Sequence, residues 1–217
     1  MRVSTKAYLV LGFVSLLASV QTAAAQTTYT SRALFDAAVS GRTLIDFEGL
    51  APPNSYSSIT TVGGQTGTVN GVGFTGTSGW LAAIWPTSYN SPGTGYNRGS
   101  TILNIQASGD LVISFAGPVT SFGIDLANYY NSPVSVGFAT STGDSYSTAT
   151  TGGNLEFFGF TNAQVFTSVT ISSGAQYSIF DNVEYSAAVA APEPTSLVLL
   201  ATGLLCVVGV GRRRKDL

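Results

Sequence analysis

Residues 110–126 read DLVISFAGPVTSFGIDL, and the spacing of the apolar residues in that stretch decides the fold class. Leu111, Ile113 and Phe115 take every second position, and Phe122, Ile124 and Leu126 do so again further on. A period of two sets one group of side chains on one face of an extended strand, as in a sheet with one buried face. Pro118 falls between the two runs, where a ladder tolerates a residue without an N–H.

The same pattern extends in both directions. From Gly41 onward, short runs of Thr, Val, Ile, Phe and Tyr are separated by Gly, Ser, Asn and Pro, the texture of an all-β chain. Strands are expected at 43–47, 58–62, 68–75, 80–84, 101–105, 110–115, 119–126, 134–139, 145–150, 155–160, 166–172 and 177–185. So many short strands in one domain fit two packed antiparallel sheets, a jelly-roll-like β-sandwich. One short helix precedes them at 30–39, where Thr30 or Ser31 can cap and Leu34, Phe35 and Ala38 form an apolar stripe. Phe122-Gly123-Ile124-Asp125 and Phe158-Gly159-Phe160-Thr161 look alike but set no repeat period. The low-complexity patch 141–153 reads as a strand with flexible flanks.

Charge narrows the function classes. Residues 26–191 hold nine carboxylates (Asp36, Asp46, Glu48, Asp110, Asp125, Asp144, Glu156, Asp181, Glu184) and three arginines (Arg32, Arg42, Arg98), a net charge near −6 with no lysine. Affinity for a phosphate backbone rests on cations, so a nucleic-acid partner is excluded. The protein has no histidine, and Cys206 lies in an apolar tail where it reads as a small hydrophobe. Disulfides inside the domain, Ser-His-Asp catalysis and His or Cys zinc sites are therefore ruled out. A metal would need oxygen ligands, which favours calcium.

Both ends of the chain carry targeting features. Arg2 and Lys6 precede an apolar run from Ala7 to Val20, followed by Ala23-Ala24-Ala25. This has the form of a signal peptide, residues 1–25, cut before Gln26. The domain then occupies 26–187, and 188–217 form a linker and tail. The tail reads APEPTSLVLLATGLLCVVGVGRRRKDL from Ala191. Residues 195–211 carry no charge, and as a helix they would span about 25 Å, marginal for a single transmembrane segment. The basic cluster at 212–215 would stay in the cytoplasm, leaving the domain outside the inner membrane.

Pro192-Glu193-Pro194, the apolar helix and Arg212-Arg213-Arg214 together resemble a PEP-CTERM sorting signal. That resemblance implies export in a Gram-negative bacterium, with the membrane protease exosortase removing the tail. It also implies delivery to the cell surface, outer membrane or extracellular matrix, in association with exopolysaccharide and biofilm. The segments RALFDAA, IDFEGL, GVGFTG, VTSFGIDL, FFGFT, FTSVTISS and IFDNVEY resemble extracellular β-sandwich domains common in such proteins. They imply a sandwich and no catalytic residue.

Two groups of residues are candidates for chemistry. Asp181 shares an alternating face with Ile179, Val183 and Tyr185, and a carboxylate on a core face must be hydrogen-bonded, protonated or bound to metal. A β-bulge at Asp181-Asn182 would turn it or give it backbone amides. Alternatively, first and last strands lying side by side would bring Asp46 and Glu48 to it as a calcium site. The second group is the aromatic and polar segment 79–98, with Trp80, Trp85, Tyr89 and Tyr96 among Asn, Ser, Thr and Gly. Flat rings beside amides and hydroxyls suit the apolar faces and hydroxyls of sugars. Trp80 reads as core, and Trp85, Tyr89 and Tyr96 are the glycan-binding candidates. The expected function is a structural or glycan-binding surface protein without catalytic residues. The alternatives are a secreted polysaccharide-degrading enzyme using Asp46, Glu48 or Asp125, whose carboxyls would have to stand about 5–10 Å apart, and an unprocessed membrane-anchored protein.

Overall fold

A computed structural model describes residues 26–59, 66–77, 82–87, 100–105, 109–128, 132–174 and 178–188. The signal peptide, the 195–211 segment and the tail lie outside these residues. The chain divides into two units, Met1–Ala187 and Ala188–Leu217, and the strands below belong to the first. Among the described residues no helix is long and apolar enough to cross a membrane.

The elements in chain order are β1 (Thr27–Tyr29), α1 (Arg32–Ala38), β2 (Arg42–Ile45), β3 (Ser57–Ser58), β4 (Thr66–Val69), β5 (Val72–Gly76) and β6 (Ala82–Trp85). They continue with β7 (Ile102–Ile105), β8 (Leu111–Asn128), β9 (Val134–Thr140), β10 (Ser145–Thr150), β11 (Glu156–Ser173) and β12 (Ser178–Ala187). Every strand pair is antiparallel.

The stretch 110–126 forms one strand of 18 residues where two were expected. The apolar set changes from odd to even positions between Phe115 and Phe122, and the change falls at the exposed Ala116-Gly117-Pro118, where the ladder to the neighbouring strand is irregular. β11 does the same, merging the expected 155–160 and 166–172, with its ladder to β8 irregular between Thr161 and Ser168. The twelve strands are hydrogen-bonded in one continuous sheet, and β8 and β11 run through both halves of it, the two sheets of the sandwich. Their 111–115 and 166–173 halves pair with β5 and β9 and carry β4 and β10 at the outside. Their 119–128 and 156–161 halves pair with β12 and β1, and β12 carries β2 and the β7-β6-β3 arm. This is the expected jelly-roll-like antiparallel sandwich with one short helix.

Side chains from the two sheets meet in an aromatic core. Phe138 of β9 stacks on Phe158 at 4.7 Å and lies 6.3 Å from both Phe122 and Phe160, while Tyr146 of β10 stacks on Phe160 at 4.0 Å. Such pairs add about 0.5–1.5 kcal/mol each beyond their burial. Burial also pushes the Tyr146 phenol above its ordinary range, with Asp144 adding to the effect.

Two local features differ from expectation. The expected strand 68–75 is a hairpin, β4 and β5 joined at Asn70-Gly71, whose φ angles are 49° and 81°. Two positive φ values at a two-residue connection match the twist of the strands, and Asn-Gly is the sequence that adopts them most easily. In α1, Phe35 is fully buried but Leu34 is 65% exposed. The helix has seven residues and rests on one ring, and Ser31 makes no side-chain cap.

Candidate functional site

The outer face of the second sheet carries a buried charged network. Asp125 of β8 lies opposite Asp181 of β12, and Glu184 lies opposite Gly123. A bulge separates the two positions: the register shifts between Asp181 and Glu184, and Asn182 sits at φ 48°, which Asn tolerates better than most residues. The bulge places Phe180, Val183 and Tyr185 with the core, as partners of Leu126, Ile45 and Phe122, and leaves Ile179, Asp181 and Glu184 on the other face. Asp181 therefore leaves the apolar set that simple alternation gave it.

Arginines from α1 and β2 bind this face. The Arg32 guanidinium pairs with Asp125 at 2.9 Å and with Glu184, and stands 4.7 Å above the Phe157 ring. Arg42 pairs with Glu184 at 3.1 Å and Asp36 at 3.3 Å, and donates to the carbonyls of Asp36 and Val39 at 2.6 and 2.8 Å. Asn182 Nδ2 donates to Asp125 at 2.8 Å. Two of the domain's three arginines thus fasten the helix and the short link from it to β2 onto the sheet.

Asp181 is 0% exposed, and among the described residues no cation pairs with it. Its Oδ1 accepts the Asn182 N–H at 2.7 Å and its Oδ2 accepts the Ser100 hydroxyl. Burial, with Asp125 and Glu48 nearby, pushes its carboxyl from the ordinary 3.8 up to about 6 against those two hydrogen bonds. Below both values the folded and unfolded states hold the proton alike. As pH rises through this window the unfolded chain ionises first, so stability falls and levels off above about 6. Asp181→Asn keeps an acceptor for Asn182 and a donor for Ser100. We expect it to raise stability at pH 7–8 by about 2 kcal/mol and to flatten the slope between pH 4 and 7. Urea titrations across that range check this; an unchanged slope would contradict it.

β2 pairs with β12 through Ile45 and Val183, and of the two acids that follow β2, Glu48 acts on the Asp181 carboxyl. Phe47 adopts φ 59° and drops its ring into the core 5.5 Å from Phe74, while Asp46 and Glu48 stay at the surface. Each carboxylate is engaged locally. Asp46 Oδ1 accepts the Glu48 N–H at 3.2 Å, and the two Glu48 oxygens accept the N–H and hydroxyl of Thr101 at 2.8 and 2.7 Å. Among the described residues no three His, Cys, Asp or Glu converge to hold a metal ion. Among the described residues Asp46, Glu48 and Asp181 do not form one donor set. Glu48 and Asp181 together hold Thr101 and Ser100, at the entrance to β7.

Of the glycan-binding candidates, Tyr89 and Tyr96 lie outside the described residues, as does Trp80. Trp85 is described and differs from expectation: it is 3% exposed and packs with Ala83, Ile102, Ala127 and Ile179. Its partner across the ladder is Ile102. The ring serves as an anchor and offers no open face to a sugar. The segment holding Tyr89 and Tyr96 is the connection between paired strands β6 and β7, with Trp85 at one end and the Ser100-Thr101 contacts at the other.

A cleft of about 240 Å³, absent from the sequence reading, opens beside β10, lined by Thr30, Leu126, Thr148, Ala149, Glu156, Phe157 and Phe158. Glu156 Oε1 accepts the N–H of Thr151 at 3.0 Å and its hydroxyl as well. Arg32 and Glu184 were also not singled out beforehand. In a lysine-free domain with nine acids, each arginine must serve more than one of them, and that was the available signal.

Residues 190–215 match the model of the PEP-CTERM protein-sorting motif. The chain carries that sorting motif. It marks an exported protein sorted to the cell envelope or surface of a Gram-negative bacterium. No curated protein sequence matches the chain. Among solved structures, a family 29 carbohydrate-binding module is 14% identical, over 60% of this chain and 91% of that one, with a TM-score of 0.36. The family 11 carbohydrate-binding module of a Clostridium thermocellum cellulosomal cellulase is 10% identical, over 70% and 98%, with a TM-score of 0.30. The catalytic domain of a GH87 alpha-1,3-glucanase is 14% identical, over 71% and 30%, with a TM-score of 0.35. Each is a similarity of outline at low identity.

Proposed function

We propose that this protein is a surface or matrix β-sandwich that exosortase releases from its tail and that binds exopolysaccharide without altering it. The observation that carries the reading is the sorting motif at 190–215, which follows a sandwich whose last strand ends at Ala187. The glycan contact is assigned to Tyr89 and Tyr96 in the β6–β7 connection. Supporting this, both ends of that connection are fixed: the buried Trp85 holds one, and the Asp181 and Glu48 contacts hold the other. Rigid ends lower the ordering cost of presenting aromatic rings to a polymer. The same contacts occupy the Glu48 carboxylate, while Asp125 is bound by Arg32 and Asn182. Such engagement suits scaffolding better than proton transfer.

The test uses protein recovered from its producing cells and electrophoresis in a gel containing that host's exopolysaccharide. Intact mass should place the C-terminus upstream of Gly211. Retardation should persist at moderate salt, because stacking contacts are not screened. Tyr89→Ala and Tyr96→Ala should each weaken it several-fold with the fold intact. Falling polymer length over hours would replace this reading with the enzyme. A full-length tail on surface protein would replace release with permanent anchoring.

A further inference from the structure

Every open sheet ends in strands whose outer N–H and C=O groups have no partner, and proteins block them with short lengths, charge, proline or cover. Four terminal strands here follow that rule. β1 has three residues and β3 has two. β2 carries Arg42, and the Ile59 main chain lies against Gly67 of β4. β10 does not follow it.

β10 reads SYSTAT, six residues with no charge, no proline and no glycine, paired among the described residues on one side only, with β9. Its free side is determined by the turn that precedes it. The Thr140 N–H donates to the Asp144 carbonyl at 2.9 Å, so Tyr146, Thr148 and Thr150 bond to β9 in alternation. Ser145, Ser147 and Ala149 then point their N–H and C=O groups outward, and their side chains are exposed. A cleft borders β10 at Thr148 and Ala149.

We infer that β10 is a self-association edge, pairing antiparallel with β10 of a second copy about a two-fold axis at Ser147. In that register Ser147 faces its own equivalent, and Ser145 faces Ala149 of the other copy. All the outward residues then form hydrogen-bonded pairs, giving six N–H···O bonds across the axis. Tyr146 meets Thr148, and the nearest acid, Asp144, meets Thr150, so no like charges oppose each other in a domain near −6. Asp144 is also fixed in place: its oxygens accept from Gln26 at 2.6 Å, Thr142 at 2.8 Å and Asn162 at 2.8 Å, which hold its carboxyl below the usual range. A second copy satisfies this edge without any other protein. It would also place two polymer-binding domains on one assembly, raising avidity through effective concentration.

Sedimentation equilibrium of the full chain in mild detergent tests the pairing. The wild-type protein should show a concentration-dependent dimer. Ser147→Lys places two cations face to face, and Ser147→Glu two anions; each alone should raise the dissociation constant by on the order of tenfold or more. Mixed, the two variants should dimerise with one another. Ser147→Pro removes only an outward N–H, so it should dissociate the dimer while leaving the melting temperature in place. A wild-type monomer at all concentrations overturns the inference, including the case where β10 takes an extended segment of some other protein. So does a dimer that all three variants leave intact. Neither result bears on retardation by polysaccharide, so failure here is separable from failure of the glycan reading.

Discussion

Arg32→Ala should destabilise the protein by about 3–5 kcal/mol, because it strips the cation from two carboxylates that the fold keeps out of water. Asp125 and Glu184 have side chains 13% and 7% exposed, and Arg32 bonds both. The pair energy itself would be modest, since desolvation offsets most of the attraction. The large loss comes from what remains after truncation: two charges crowded on one sheet face, where Glu184 must share Arg42 with Asp36 and Asp125 keeps only the Asn182 amide. Arg32 also covers the Phe157 ring at 4.7 Å, so alanine removes packing as well. Arg32→Lys should lose less, about 1–2 kcal/mol, because one ammonium cannot bond both carboxylates with a fixed fork of donors. Urea unfolding at pH 7 provides the measurement. A deficit below about 1 kcal/mol would mean water reaches these carboxylates and the network is a surface one.

The period-two runs at 111–115 and 122–126 were enough to predict strands, and the number of such short segments to predict the sandwich. Strand class needs only alternation, and alternation is local. What alternation alone did not give was continuity. The change from odd to even positions across Ala116-Gly117-Pro118 marks a bend within β8 as readily as a loop between two strands, and only pairing with β11 along both halves distinguishes them. The Asn70-Gly71 turn was legible, and the apolar run around it obscured it. At Asp181 the sequence showed a conflict, a carboxylate among apolar alternates, and offered a bulge as one solution. The bulge is there, and Asn182 at positive φ is the residue that allows it. The partners of Asp181 were only partly legible. The β2–β12 pairing explains Glu48, but Ser100 and Thr101 reach the Asp181 and Glu48 carboxylates from a distant part of the chain, and sequence spacing carries no record of that. Trp85 was ambiguous because a tryptophan at a strand end suits a core and a platform equally. The neighbouring β7, with Ile102 opposite, makes it core.

Gly159→Val should cost about 3 kcal/mol or more, and the reason lies in two short segments that look alike without forming a repeat. Phe122-Gly123-Ile124-Asp125 and Phe158-Gly159-Phe160-Thr161 lie on neighbouring strands, and Gly159 pairs directly with Gly123. Together they leave a patch of sheet without Cβ atoms, and the Phe35 ring of α1 descends onto it beside Phe157, the two ring centroids 5.3 Å apart. A Cβ at Gly159 would come within 2.8 Å of Phe157 Cζ and 3.0 Å of Phe35 Cδ2. At Gly123 the same two rings would be met at 2.9 and 3.1 Å. The Phe35 ring has no space to retreat, being fully buried and bounded by Tyr29 at 5.5 Å, whereas Phe157 lies under Arg32 and borders the cleft. Overpacking of this kind costs about 1–3 kcal/mol where neighbours can shift, and more where they cannot. Phe35→Ala alone should cost about 3–5 kcal/mol by leaving the same space empty. The combination identifies the mechanism. If valine is harmful because it meets Phe35, the double variant should lose at least about 2 kcal/mol less than the sum of the single changes, since the new side chain occupies the vacated space. Additive losses in urea unfolding would mean instead that the glycines are required for backbone conformation. The helix would then be a passenger on the sheet, and the Arg32 network alone would hold it there.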